Sequence, residues 1–188
     1  MIDPAEARIA AAPGLSLADF EGDRPKRAPP GRPEIGSPHP LLISGVVVTD
    51  LTPHADERGS LCELLTTRDG PIEPLVHVYQ VSAAPRSVRA WVYHKHQHDR
   101  LAFTNGTFEV VLYDLRPGSP TLNHLNVFRL GAARPASVRI PPCVVHGVRN
   151  AGAEWATFVN MPTRPYDHAS PDKCRIGHDD ARMPYRFE

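Results

Sequence analysis

Three histidines occupy alternate positions in the stretch RAWVYHKHQHDR, Arg89–Arg100: His94, His96 and His98, followed by Asp99. Neutral imidazole accepts protons near neutral pH and ligates transition metals, so the row could serve acid–base chemistry, metal binding or merely a polar turn. In an extended strand alternate side chains share a face, so His94 points the same way as Val92, two residues before it. A further histidine, His146, stands in PPCVVHGVRN, Pro141–Asn150. His96 and His98 fall in the expected turn before Asp99 and are expected in solvent. That leaves His94 and His146 as the groups to place.

The elements that must position them read as strands. From Leu41 onward short runs of valine, leucine and aromatics are separated by turn signals at Pro53, Asp69-Gly70-Pro71, Asn105-Gly106, Pro117-Gly118 and Gly131. This spacing argues for an all-β sandwich or barrel, with strands expected over 42–50, 60–66, 74–82, 86–94, 100–104, 107–114, 125–130, 137–140, 144–149 and 153–161. Asn105-Gly106 carries the strongest hairpin signal, which would join RLAFT to TFEVVLYDLR. Before these strands, residues 4–12 could form one short helix, and Asp23–Pro40 is dense in proline, glycine and charge. Such a composition buries too little surface to fold alone, so residues 1–38 read as an N-terminal extension or arm and 39–188 as the domain.

Composition narrows the partners. The 188 residues balance 21 Lys+Arg against 21 Asp+Glu, so no net basicity holds nucleic acid or an anionic membrane; local arginines must grip any anion. The longest apolar run, LLISGVVV at Leu41–Val48, falls far short of the roughly 20 residues that span a bilayer. The acidic N-terminus lacks the pattern of a secretory signal, and a cytoplasmic location is expected. Cys62, Cys143 and Cys174 are widely spaced and form no CxxC pair, so they read as ordinary reduced thiols.

Two spaced signatures stand out against the β background: V-x-H-x4-D (Val92, His94, Asp99) with Gly106 beyond it, and P-x-C-x2-H-x3-N (Pro141, Cys143, His146, Asn150). They resemble the two motifs of the cupin superfamily, jelly-roll barrels (double-stranded β-helices) whose motifs bring side chains into the barrel mouth. Valine replaces the first histidine of that pattern, aspartate its glutamate and cysteine its glycine. His94, Asp99 and His146 would then make a two-histidine, one-carboxylate set suited to a divalent metal such as iron(II) or manganese(II).

A narrower resemblance covers most of residues 42–188. D-E-R-G-S-L-C-E (Asp56–Glu63), S-V-R-A-W (Ser87–Trp91), V-L-Y-D-L-R-P-G-S-P-T (Val111–Thr121), I-P-P-C-V-V-H-G-V (Ile140–Val148), P-Y-D (Pro165–Asp167) and D-D (Asp179, Asp180) are similar, in order, to motifs of dTDP-4-dehydrorhamnose 3,5-epimerase. The resemblance implies a cofactor-independent isomerase of nucleotide-linked 4-keto-6-deoxyhexoses, homodimeric through its N-terminal strands. The 4-keto group acidifies the protons at C3 and C5; a histidine removes one, the enolate is stabilised, and a tyrosine returns a proton to the opposite face. The family's base falls on Val92 and its acid tyrosine on Asn160. Its lysine after the first motif falls on Asp99, with Arg100 adjacent.

Valine cannot accept a proton and asparagine is no useful acid near neutral pH. The expectation is therefore a base relocated to His94, oriented by Asp180, with Tyr166 supplying a phenol. The resemblance further implies substrate contacts from Arg58, Glu63, Arg89, Arg100, His146 and Asn160; arginines suit a diphosphate through their forked donors. Arg116 reads as a residue that holds its turn together. Two other readings stay open: a metal-dependent cupin enzyme on His94, Asp99 and His146, and a sugar-nucleotide-binding cupin that has lost the chemistry.

Overall fold

The computed structural model describes residues 34–35 and 42–188; the helix expected over 4–12, and the arm apart from Glu34–Ile35, lie outside the described residues. The strands are β1 Glu34–Ile35, β2 Val47–Asp50, β3 Pro53–Asp56, β4 Gly59–Cys62, β5 Tyr79–Ala83, β6 Val88–His94, β7 Asp99–Phe103, β8 Thr107–Asp114, β9 Leu125–Gly131, β10 Ala136–Ile140, β11 Val144–Asn150, β12 Ala156–Asn160 and β13 Lys173–Arg175. No helix among the described residues is long and apolar enough to cross a membrane.

The strands form a six-stranded sheet, β1-β2-β10-β7-β12-β5, a five-stranded sheet, β13-β6-β11-β8-β9, and a β3-β4 hairpin. Pairing within the sheets is antiparallel. Consecutive strands β6, β7 and β8 lie in alternate sheets, so the chain winds between two layers as a jelly roll does. Alternation along β8 shows why both layers hold. Phe108, Val110 and Leu112 enter the core between the sheets, while Val111 turns outward onto Trp91, Val145 and Met183. Phe103, Phe108 and Phe158 meet between the sheets with centroids 5.1–5.6 Å apart, each pair worth about 1 kcal/mol beyond its buried area.

The Asn105-Gly106 turn departs from the expected hairpin. Its flanking strands belong to different sheets, so it is an arch from one layer to the other. Asn105 is tied to β12 through Nδ2 to Thr157 Oγ1 (2.7 Å) and through Thr157 N–H to its Oδ1 (2.9 Å). A Cβ on Gly106 would stand 2.3 Å from that of Ala156. The dipeptide thus supplies the left-handed turn it promised, but packing against β12, not pairing between its neighbours, fixes where the chain goes.

The D-L-R-P-G-S-P-T block is a staple. Asp114 Oδ1 accepts from Arg116 N and Nε, and Oδ2 from Arg116 Nη2, Ser119 Oγ and Thr121 Oγ1, at 2.6–3.0 Å. Arg116 Nη2 also donates to Ser44 O at 2.8 Å, and Ser44 N to Thr121 Oγ1 at 2.9 Å, binding the segment before β2 to this turn. Arg116 therefore holds the turn, as expected. Asn150 acts similarly, donating to the carbonyls of Ala83, Ala84 and Glu154.

Candidate active site in the barrel mouth

The aromatic trio packs between the sheets, and one of its members, Phe158, also borders a cavity that polar side chains enter. This cavity, of about 310 Å³, is bounded by Val92, His94 and Arg89 of β6, Asp99 of β7, His146 of β11, Asn160 of β12, Tyr79 of β5 and Lys173 of β13. Register explains the gathering. His146 pairs with Val92, and an irregularity between His146 and Val148 puts Val148 opposite Arg89. That bulge lets Arg89 and Val92, three residues apart, both face the cavity. Cys143, where the cupin pattern has glycine, sits at φ 63° in the turn leading to β11 and donates its N–H to His94 O at 2.7 Å. The left-handed conformation is the reason glycine suits this position.

Asp99 is the hub. It is buried, its Oδ1 accepts from Gln97 Nε2 (2.8 Å) and Asn160 Nδ2 (3.1 Å), and its Oδ2 faces His146 Nε2 at 3.3 Å and His94 Nε2 at 3.4 Å. Burial alone would raise its pKa, but the hydrogen bond and positive potential from His146, His94 and Asn160 win and hold it well below the ordinary carboxylate value. His146 is fixed by Nδ1 against Val144 O at 3.1 Å. His94 is buried, with Asp172 Oδ2 3.6 Å from Nδ1, and Nδ1 has no hydrogen-bond partner. Burial pushes its pKa below the ordinary 6.5; Asp99 opposes the shift and His146 adds to it. A neutral imidazole flanked by two carboxylates can accept a proton and then be stabilised as imidazolium.

Residues 40–186 match the family model described as dTDP-4-dehydrorhamnose 3,5-epimerase. The chain belongs to this epimerase family. The chain is 33% identical over 146 residues to the spore coat polysaccharide biosynthesis protein SpsL of Bacillus subtilis, covering 78% of this chain and 97% of SpsL. It is 37% identical over 142 residues to the probable low-salt glycan biosynthesis epimerase Agl13 of Haloferax volcanii, covering 73% and 89%. A dTDP sugar isomerase structure from Desulfovibrio desulfuricans G20 superposes with a TM-score of 0.72 at 27% identity, over 77% of this chain and 92% of the other. The all-β cupin barrel expected from the motifs is the fold observed, and the chain is an enzyme of the sugar-nucleotide epimerase class.

Within this epimerase barrel the expected site residues divide. His94, His146, Arg89 and Asn160 meet at the cavity, with Asp99 among them. Tyr166 is half-exposed on the wall of an adjoining cavity of about 670 Å³, its ring against His168. Asp180 is not the carboxylate beside His94: it is engaged by Arg182 and lines neither cavity, whereas Asp172 stands there and also accepts from the N–H groups of His96 and Gln97. Arg100 projects to the opposite face of β7, where with Glu73 and Arg139 it lines a separate cavity of about 320 Å³. Alternation along β7 requires this once Asp99 faces inward. Arg58 pairs with Asp56 at the exposed end of the β3-β4 hairpin, and Glu63 follows that hairpin and bonds Arg68; neither lines the cavity. His98 is not simply solvated, since Glu73 Oε1 lies 3.3 Å from its Nδ1.

Five groups at the candidate site carried no motif signal: Tyr79, Lys173, Arg175, Asp172 and Gln97. Lys173 and Arg175 reach the cavity because β13 adds to the edge of β6, pairing Lys173 with His94 and Arg175 with Val92. Cross-strand partners share a face. Burial lowers the pKa of Lys173, with Asp99 opposing.

Proposed function

We propose that the protein epimerises a nucleotide-linked 4-keto-6-deoxyhexose without a cofactor, by removal of a proton beside the keto group. The observation that carries this reading is His94: a buried, neutral histidine between Asp99 and Asp172, in the cavity of an epimerase-family barrel, two positions from the valine that occupies the family's base position. His94 takes the C–H proton; Asp99 and Asp172 stabilise the resulting imidazolium. The Lys173 ammonium, on the same cavity wall, suits the enolate oxygen, and Arg89 and Arg175 suit the diphosphate. Homodimerisation belongs to the same reading, supported by the exposed apolar run Leu75, Val76 and Val78 ahead of β5.

The pH profile tests the role of His94. A base must be deprotonated in the free enzyme, so kcat/KM should fall on the acid side with a midpoint below 6.5, the direction in which burial moves His94. A limb centred above that value would count against it.

A second reading is favoured by the ligand geometry of the hub. His94, Asp99 and His146 offer three buried donor atoms within 4.8 Å of one another. With Nδ1–H given to Val144 O, neutral His146 aims a lone pair at a carboxylate oxygen, a contact that needs a cation, whether a ring proton or a metal. Donors about 2.1 Å from one metal ion and roughly 90–109° apart would be separated by about 3.0–3.4 Å, which the two histidine–Asp99 distances fit. A bound divalent ion would supply Lewis acidity toward the keto oxygen. Elemental analysis of untagged protein decides: the metal-free reading expects well under one ion per chain, and on the order of one ion lost in Asp99→Ala would replace it with the metal reading.

A further inference from the structure

An epimerase needs an acid on the face of the enolate opposite its base, and the position where the family carries a tyrosine is Asn160. The phenol is not lost from the site. Asn160 of β12 pairs in register with Tyr79 of β5, and its Nδ2 donates to Tyr79 Oη at 2.8 Å. Tyr79 lines both the smaller cavity with His94 and the larger one beside it. We propose that Tyr79 is the catalytic acid of this enzyme, supplied from the neighbouring strand and aimed by Asn160; this rests on the epimerase reading above.

Three features of the geometry support the assignment. First, Oη accepts the Asn160 N–H, which occupies a lone pair and leaves the hydroxyl hydrogen free to be given to a ligand. Second, the same Asn160 amide nitrogen donates to Asp99 Oδ1 at 3.1 Å while its Oδ1 accepts from Arg100 N at 3.3 Å, so the amide is held from three sides and cannot easily turn away from Tyr79. Third, His94 belongs to the five-stranded sheet and Tyr79 to the edge of the six-stranded one. A sugar between the layers would meet base and phenol from opposite walls, as inversion requires. Partial burial raises the phenol pKa, against the Asn160 hydrogen bond, a shift in the direction that favours the protonated acid.

The step balances without a co-reactant. His94 takes the C–H proton and the electron pair passes to the keto oxygen as enolate. As the enolate collapses, carbon takes the Tyr79 O–H proton on the other face, leaving phenolate and imidazolium. Solvent reprotonates the first and deprotonates the second. Asn160 acts through Tyr79 and is a positioning residue.

Tyr79→Phe compared with wild type in D2O, using a dTDP-linked 4-keto-6-deoxyhexose, tests this. The variant should form inverted product at least about 100-fold more slowly, within the range for loss of a general acid, while deuterium still enters at the carbon that His94 deprotonates. Inverted product within threefold of wild type overturns the inference and leaves the epimerase reading intact. Wild-type protein that neither exchanges nor inverts overturns both. Should the phenylalanine variant fold poorly, 3-fluorotyrosine placed at position 79 keeps the shape and makes the phenol more acidic. The alkaline limb of kcat should then move to lower pH, and an unmoved limb overturns the inference.

Discussion

His94→Asn should lower the rate of proton removal from the sugar by about 10³-fold, the mid-range for loss of a positioned general base. Asparagine keeps a polar, planar group of similar reach, so the barrel is preserved, but it has no basic nitrogen. The neighbours explain why nothing else on the wall replaces it. Asp99 is held ionised by His146, His94 and Asn160, which makes it a weak base, and the His146 Nε2 is directed at that same carboxylate. Lys173 stands across from His94 as a cation. Following C3 and C5 exchange by mass spectrometry at matched enzyme concentrations measures the effect. A variant within tenfold of wild type would place the base elsewhere.

The second large effect is on stability. Asp114→Ala should destabilise the fold by about 3–4 kcal/mol, because it removes the acceptor for Arg116, Ser119 and Thr121 together and leaves partly buried donors unpaired. For a chain of this size that corresponds to a fall in Tm of roughly 10 °C. Denaturant unfolding of the two proteins at neutral pH checks it, and a difference below 1 kcal/mol would show that the staple is ornamental. The pH sense follows from the carboxylate. Desolvation works against it, but the Arg116, Ser119 and Thr121 hydrogen bonds hold its folded pKa below the unfolded 3.8. Its stabilisation is therefore complete above the unfolded value and is lost as pH falls from there toward the folded one.

The sequence was most informative where chemistry and strand period coincide. His94, Asp99 and His146 converge because motif spacing on antiparallel strands dictates which side chains face inward, and that was readable without coordinates. Arg100 could have been placed by the same rule, since a residue next to an inward aspartate on a strand must face out. Other errors had deeper causes. Asn105-Gly106 specifies a backbone conformation, not the sheet that the next strand joins. Asp172 and Lys173 come from a proline-rich stretch whose period is silent, and only the pairing of β13 with β6 brings them to His94. The resemblance points to Asp180 and gives no sign of Asp172, because motif order carries no distance. Tyr79 meets Asn160 across 81 residues of sequence, a contact no local pattern encodes.

The central claim is that a base survives in this barrel although the family resemblance places Val92 where the base is expected. Incubating the wild-type protein in D2O with a dTDP-linked 4-keto-6-deoxyhexose and reading deuterium at C3 and C5 by mass spectrometry tests it most directly. The account predicts deuterium at one or both carbons, with the position separating single from double epimerisation. Tight binding of the sugar nucleotide with no deuterium at either carbon would contradict it and leave a binding protein in an epimerase fold.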